Sequence, residues 1–221
     1  MPKKLDSALM TIFIILSGIL YYFILTAGGT LLTATSYAAI VACFLYALAY
    51  RNNKFILGGL ACTLGADFFL VVCSPMQQLW GMIFFLGAQT FYAAMLHTSR
   101  PCKGFLFTRI ALTAIAAAIT AMLLKSKTDA LAVISICYYV NLIFNIILAF
   151  VQFKRYKLFA IGLIFFLLCD TVIGLQVMAG AYLPIPEALH RIIFAPFNLA
   201  WLFYLPSQVL IALSGRKASL P

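Results

Sequence analysis

Eight apolar runs, each of about twenty residues, dominate this chain and leave few folds open to it. In lipid, only α-helices and closed barrels satisfy all of their own backbone hydrogen bonds. A transmembrane barrel would show short segments of alternating polarity, and these runs are long and continuous. The runs therefore predict an all-α, polytopic membrane helical bundle with eight transmembrane helices, at about 8–27, 31–50, 55–73, 79–97, 105–124, 130–152, 158–178 and 191–213.

The composition supports this class of protein. The chain of 221 residues is 65% hydrophobic and 9% charged, whereas soluble domains are about half apolar and a quarter charged. The linkers between the runs are short, so residues 1–221 are expected to form a single integral membrane domain. No small-residue cleavage site ends the first run, which is therefore read as a membrane span and not as a signal peptide.

The basic residues predict the orientation in the membrane. Cytoplasmic loops of membrane proteins carry an excess of lysine and arginine. With the N-terminus inside, twelve basic residues lie on the cytoplasmic side and three on the other: Lys125, Lys127 and Arg191. Both termini are thus expected to be cytoplasmic, in a multi-pass protein of the cytoplasmic membrane. The lipid bilayer is the expected partner of these charges, and no basic run is long enough to indicate nucleic acid.

Two aspartates lie deep inside apolar runs. Asp67 and Asp170 each follow a flanking lysine, Lys54 or Lys157, by thirteen residues, which places both about 18–20 Å from that side. A carboxylate at such a depth costs about 3 kcal/mol or more, so it usually marks a functional site. Arg109 lies near a helix end and is expected to snorkel to the interface. The third and seventh helices are therefore expected to be packed neighbours, with their carboxyl groups about 4–10 Å apart.

The two aspartate runs also resemble each other. At an offset of 103 residues, Gly59 and Asp67 align with Gly162 and Asp170, as do several leucines. Such matches are common by chance in membrane helices, and the offset does not continue into the following runs. Internal duplication and chance both remain open.

Further polar residues lie near the same depth and are candidates for positioning a substrate or water. The alternative is that they only form hydrogen bonds between helices. These candidates are Thr63, Gln89, Tyr92, Tyr138, Asn141, Asn145, Tyr204 and Gln208. Pro196 and Pro206 are expected to bend the eighth helix. The six cysteines are scattered, and the two histidines fall at opposite faces, so neither a metal site nor a cofactor is expected.

Two carboxyl groups in one low-dielectric site cannot both ionise easily, so one would hold a proton beside the other's negative charge. Such a pair suits acid-catalysed cleavage through an oxocarbenium-like cation. It also suits the proton or cation pathway of a transporter. Serine catalysis is disfavoured because the chain has no Gly-x-Ser-x-Gly motif.

Four segments resemble motifs of the YhhN-type lysoplasmalogenase family. They are GLACTLGADFFL ending just after Asp67, FLGAQTFY from Phe85 to Tyr92, GLIFFLLCD ending at Asp170, and YLPSQVLI beginning at Tyr204. Their order and spacing match over most of the chain. Gln89 stands where many members have histidine, and Cys169 stands where serine is usual.

The resemblance implies a membrane hydrolase that cleaves the vinyl-ether bond of lysoplasmalogens, an amphiphilic lipid substrate, to a fatty aldehyde and a glycerophospho-alcohol. Asp67 and Asp170 would be its catalytic residues, with one as the proton donor and the other stabilising the cation. The competing prediction is a transporter or lipid-binding protein that uses the same aspartates for coupling.

Overall fold

The computed structural model describes residues 3–50, 53–100, 103–124, 130–181 and 186–215. This part of the chain is helical throughout and contains no strand. The helices are α1 (Lys3–Thr26), α2 (Gly29–Ala49), α3 (Lys54–Asp67), α4 (Gln78–Ser99), α5 (Lys103–Leu124), α6 (Ala130–Val151), α7 (Phe153–Ala181), α8 (Glu187–Ile193) and α9 (Leu199–Ser214).

Helices α1 to α7 are long and apolar enough to cross a membrane, with α3 counted together with the turn that follows it. The predicted all-α polytopic bundle is thereby confirmed, and the chain is an integral, multi-pass membrane protein. The helices form because an apolar segment in lipid must bond its backbone groups within itself.

The breaks between helices follow local chemistry. Gly29 has a positive φ of 59°, which glycine adopts without steric cost, and it begins α2 directly after α1 has ended. Asn53 caps α3, because its side-chain oxygen accepts a hydrogen bond from the Phe55 backbone N–H at 3.0 Å.

A π-helical turn, Phe68–Val72, continues α3 immediately after Asp67. Such a turn re-aims the side chains next to it and is frequent at functional sites. Asp67 therefore lies at a point where the helix geometry changes.

The eighth predicted helix, 191–213, is not continuous. Its sequence forms the short α8 and the 16-residue α9, separated by the non-helical residues 194–198. Pro196 lacks a backbone N–H and disfavours the helical conformation of the residue before it. Asn198 then caps α9 by accepting a hydrogen bond from the Trp201 N–H at 3.3 Å. Pro196 thus breaks the helix, whereas Pro206 remains inside α9.

Seven helices form a closed ring. Going round it, α1 packs on α2, α2 on α3, α3 on α4, α4 on α6, α6 on α7, α7 on α9, and α9 on α1 and α2. Helix α5 stands outside the ring and packs mainly on α6. The expectation that the two aspartate helices are packed neighbours is wrong for the described residues, because α9 and the α4–α6 pair separate α3 from α7.

Glycines allow the closest approaches in this ring. A Cβ on Gly59 of α3 would lie 2.1 Å from Cε1 of Tyr92 in α4. A Cβ on Gly162 of α7 would lie 3.1 Å from the Ser207 carbonyl oxygen of α9. These two helix pairs are the most closely packed, and they hold the aspartates of α3 and α7 against the helices beside them.

Candidate functional site in the bundle interior

Asp67 is paired with a tyrosine from the last helix. Its side chain is only 3% exposed, and the Tyr204 hydroxyl donates a hydrogen bond to its Oδ2 at 2.5 Å. Tyr204 itself is buried on α9. A hydrogen bond to a carboxyl oxygen fixes the orientation of that group and partly replaces the solvent it has lost.

Asp170 is held in the same way by a different tyrosine. The Tyr138 hydroxyl, on α6, donates to Asp170 Oδ2 at 2.5 Å. Tyr138 is buried and Asp170 is partly exposed. The site thus contains two aspartate–tyrosine pairs, one joining α3 to α9 and the other joining α6 to α7.

Two phenylalanines lie between the pairs. The Phe85 ring is centred 5.8 Å from Tyr138 and 6.3 Å from Tyr204. The Phe166 ring is centred 5.6 Å from Tyr204 and 6.3 Å from Tyr138. Both rings are buried, so the space between the two tyrosines is apolar and aromatic.

A buried thiol lies next to the second carboxyl group. Cys169, at 3% exposure, directly precedes Asp170 on α7.

A second group of polar side chains comes from the three helices α3, α4 and α9. Gln89, Tyr92, Thr63 and Gln208 are all fully buried. Within the part of the chain that the structure describes, Gln89 Nε2, the Tyr92 hydroxyl and Gln208 Oε1 have no hydrogen-bond partner. Thr63 donates to the Gly59 carbonyl of its own helix at 3.1 Å. The three unpartnered atoms are a donor, a hydroxyl and an acceptor, and each is a group that can bind water or an alcohol.

The side chain of Arg109 was expected to snorkel to the membrane interface, and this prediction is wrong. It is 4% exposed, and it donates from Nε to Asn141 Oδ1 at 2.7 Å and from Nη1 to Asn145 Oδ1 at 2.9 Å. The Asn145 amide in turn donates to Gln89 Oε1 at 2.8 Å. The arginine turns inward because α6 presents these two amides, four residues apart, to α5.

The ten predicted site residues therefore fall into three groups. Asp67, Asp170, Tyr138 and Tyr204 form the paired carboxyl groups. A polar layer contains Thr63, Gln89, Tyr92 and Gln208. Asn141 and Asn145 bind Arg109, with Asn145 also reaching Gln89.

Sequence reasoning assigned no role to Phe85 and Phe166, although both lie in segments that resemble family motifs. It also missed the role of Arg109, although a basic residue inside an apolar run was a usable signal. Among the described residues, no three histidine, cysteine, aspartate or glutamate side chains converge as metal ligands would.

An all-helical, membrane-spanning bundle with two tyrosine-bound aspartates inside it defines a polytopic membrane protein with an intramembrane carboxyl site. The model of the YhhN family matches residues 30–215, which include both aspartates. The chain belongs to the YhhN family. No curated protein and no solved structure matches it significantly.

Proposed function

We propose that this protein hydrolyses the vinyl-ether bond of lysoplasmalogens, releasing a fatty aldehyde and a glycerophospho-alcohol. The observation that carries the proposal is the arrangement of Asp67 and Asp170, each bound by a tyrosine, on either side of Phe85 and Phe166. Membership of the YhhN family supports the same reaction. An amphiphilic substrate taken from the lipid bilayer explains why the carboxyl groups lie inside an apolar bundle.

The reaction begins with protonation of carbon. One aspartate, as the carboxylic acid, donates its proton to the vinyl carbon that does not carry oxygen. The electron pair of the double bond forms the new C–H bond, and the neighbouring carbon becomes part of an oxocarbenium ion. The second aspartate, as the carboxylate, stabilises this cation. The faces of Phe85 and Phe166 add a favourable cation–π interaction.

Water completes the cleavage. The carboxylate takes a proton from water as the water oxygen bonds to the oxocarbenium carbon, giving a hemiacetal. The bond between that carbon and the glycerol oxygen then breaks as the glycerol oxygen takes the proton from the second aspartate. The hemiacetal hydroxyl gives its proton to the first aspartate, and the aldehyde is released. One water is consumed, and the proton given in the first step is returned. The reaction uses only the carboxyl groups of the chain and water.

The other polar side chains have separate roles in this proposal. Tyr138 and Tyr204 orient the carboxyl groups to which they donate. Gln89, Tyr92 and Gln208, with Thr63 beside them, hold the attacking water or the glycerol hydroxyl. We propose that the enzyme lies in the cytoplasmic membrane, with both termini in the cytoplasm.

The proposal is tested by incubating the purified protein with a lysoplasmalogen and with its saturated 1-alkyl analogue, and measuring aldehyde. We expect aldehyde from the vinyl ether alone, because the saturated ether cannot form the oxocarbenium ion by protonation of carbon. In D₂O the aldehyde should carry one deuterium at carbon 2. Proton-coupled uptake in proteoliposomes without any aldehyde would instead favour a transporter.

A further inference from the structure

A cleft on the outer side of the ring, between α4, α5 and α6, contains an uncompensated charge. Its volume is about 430 Å³, within the usual range of ligand sites. Arg109 lines it together with the polar residues Thr90, Thr113 and Asn141. The remaining lining residues are mostly small or apolar, such as Leu106 and Ile110.

The guanidinium of Arg109 has only neutral partners in the described chain. Asn141 and Asn145 accept from Nε and Nη1, but an amide oxygen does not neutralise a positive charge. The only ion pair among the described residues joins Arg191 and Glu187. A buried charge at this position costs several kcal/mol unless an anion accompanies it.

The cleft is open towards the surrounding membrane. Leu106 and Ile110 on its wall are 44% and 60% exposed. A lipid molecule can reach it from the bilayer without entering the ring. Arg109 lies six residues after the start of α5, which is about 9 Å along the helix. A phosphate can be drawn to that depth, since bilayers thin locally around buried arginines.

We propose that this cleft binds a phospholipid of the bilayer, with the lipid phosphate against Arg109 and an acyl chain along the apolar wall. The phosphodiester carries the single negative charge that the arginine lacks. Nη2 of Arg109 donates no hydrogen bond to the described chain and is free to bind a phosphate oxygen. This proposal is independent of the bond that the protein cleaves.

The test uses the purified protein in detergent, with binding measured by native mass spectrometry and by the shift in Tm. The probes are a diacyl phosphatidylglycerol, a diacylglycerol with the same chains, a lysophospholipid and inorganic phosphate. We expect the phosphatidylglycerol to bind and the diacylglycerol not to bind. Arg109→Gln should weaken binding about tenfold or more, as for the loss of a hydrogen bond to a charged group. Arg155→Gln, at an exposed arginine of α7, is the matched control and should bind normally.

A second variant keeps the test informative if Arg109→Gln fails to fold. Ala114→Phe fills the cleft while leaving Arg109 and its asparagines in place, and it should also weaken binding of the phospholipid. Equal binding of diacylglycerol, or unchanged binding in both variants, would overturn the proposal. So would tighter binding of the lysophospholipid or of inorganic phosphate than of the diacyl phospholipid.

Discussion

The two carboxyl groups are each held by one tyrosine, and this local arrangement controls their orientation. A carboxyl group in an apolar bundle has few partners, and each tyrosine supplies its aspartate with a donor at 2.5 Å. Without that donor the carboxyl group can rotate away from the reacting carbon. The hydroxyls of Tyr138 and Tyr204 are therefore expected to be needed for activity, as the aspartates are.

Removing one hydroxyl tests this point. Tyr138→Phe and Tyr204→Phe should each lower kcat for vinyl-ether hydrolysis. The loss should be about 10–100-fold for the tyrosine bound to the carboxylate, where a hydrogen bond to a charged group of about 1.5–3 kcal/mol is lost, and about 2–10-fold for the tyrosine bound to the carboxylic acid, where the bond contributes about 0.5–1.5 kcal/mol. Tyr139→Phe is the matched control, because its hydroxyl lies 3.3 Å from the Thr171 hydroxyl and contacts no aspartate. Equal losses in all three variants would mean that the effect is on folding and not on the carboxyl groups.

At the scale of helices, the sequence predicted where each helix lies along the chain better than it predicted which helices pack against one another. Apolar runs and capping residues are local signals, so the first seven helices lie close to the predicted runs. The sequence predicted that Pro196 would bend the eighth helix. Whether the helix bends or is interrupted at Pro196 depends on how α8 and α9 pack, which the sequence does not show. The order of helices around the ring is not encoded in any one run. This explains why the pairing of α3 with α9 could not be predicted, whereas the inward turn of Arg109 had a usable signal in a basic residue inside an apolar run.

The tight contact between α7 and α9 depends on Gly162. Gly162→Ala should lower the free energy of unfolding by about 1–3 kcal/mol, because the new methyl group would press on backbone atoms of α9 that cannot move aside. Gly174→Ala in the same helix has open space at the Cβ position and should leave Tm unchanged or raise it. Thermal unfolding in detergent measures both. A Gly162→Ala protein as stable as Gly174→Ala would contradict the packing described.

At the scale of the whole molecule, residues 193–211 pack along the length of α7. Gly162 lies against Ser207 and Ile211, and the Gln176 side chain donates to the Ile193 carbonyl at 2.6 Å. Residues 193–211 therefore run antiparallel to α7, so α8 and α9 together retrace the path of a span. This arrangement agrees with an eighth crossing, made by a broken segment instead of one helix.

An eighth crossing places both ends of the chain on one side of the membrane. Single cysteines introduced at each end of a variant without reactive native cysteines should both be labelled only from the cytoplasmic side, as the twelve basic residues on that side predict. Labelling of the two ends from opposite sides would show that α8 and α9 do not cross.

The central claim is that Asp67 and Asp170 act together as acid and carboxylate. The most direct measurement is kcat for aldehyde release from a lysoplasmalogen by Asp67→Asn and Asp170→Asn, with Tm recorded for each variant. Both should retain the fold and lose about 10²–10⁴-fold in turnover, because asparagine neither donates the proton nor carries the charge. Gln89→Ala should lose less, and Glu187→Gln, at an exposed ion pair, should behave as wild type. Near-wild-type hydrolysis by both aspartate variants would contradict the account.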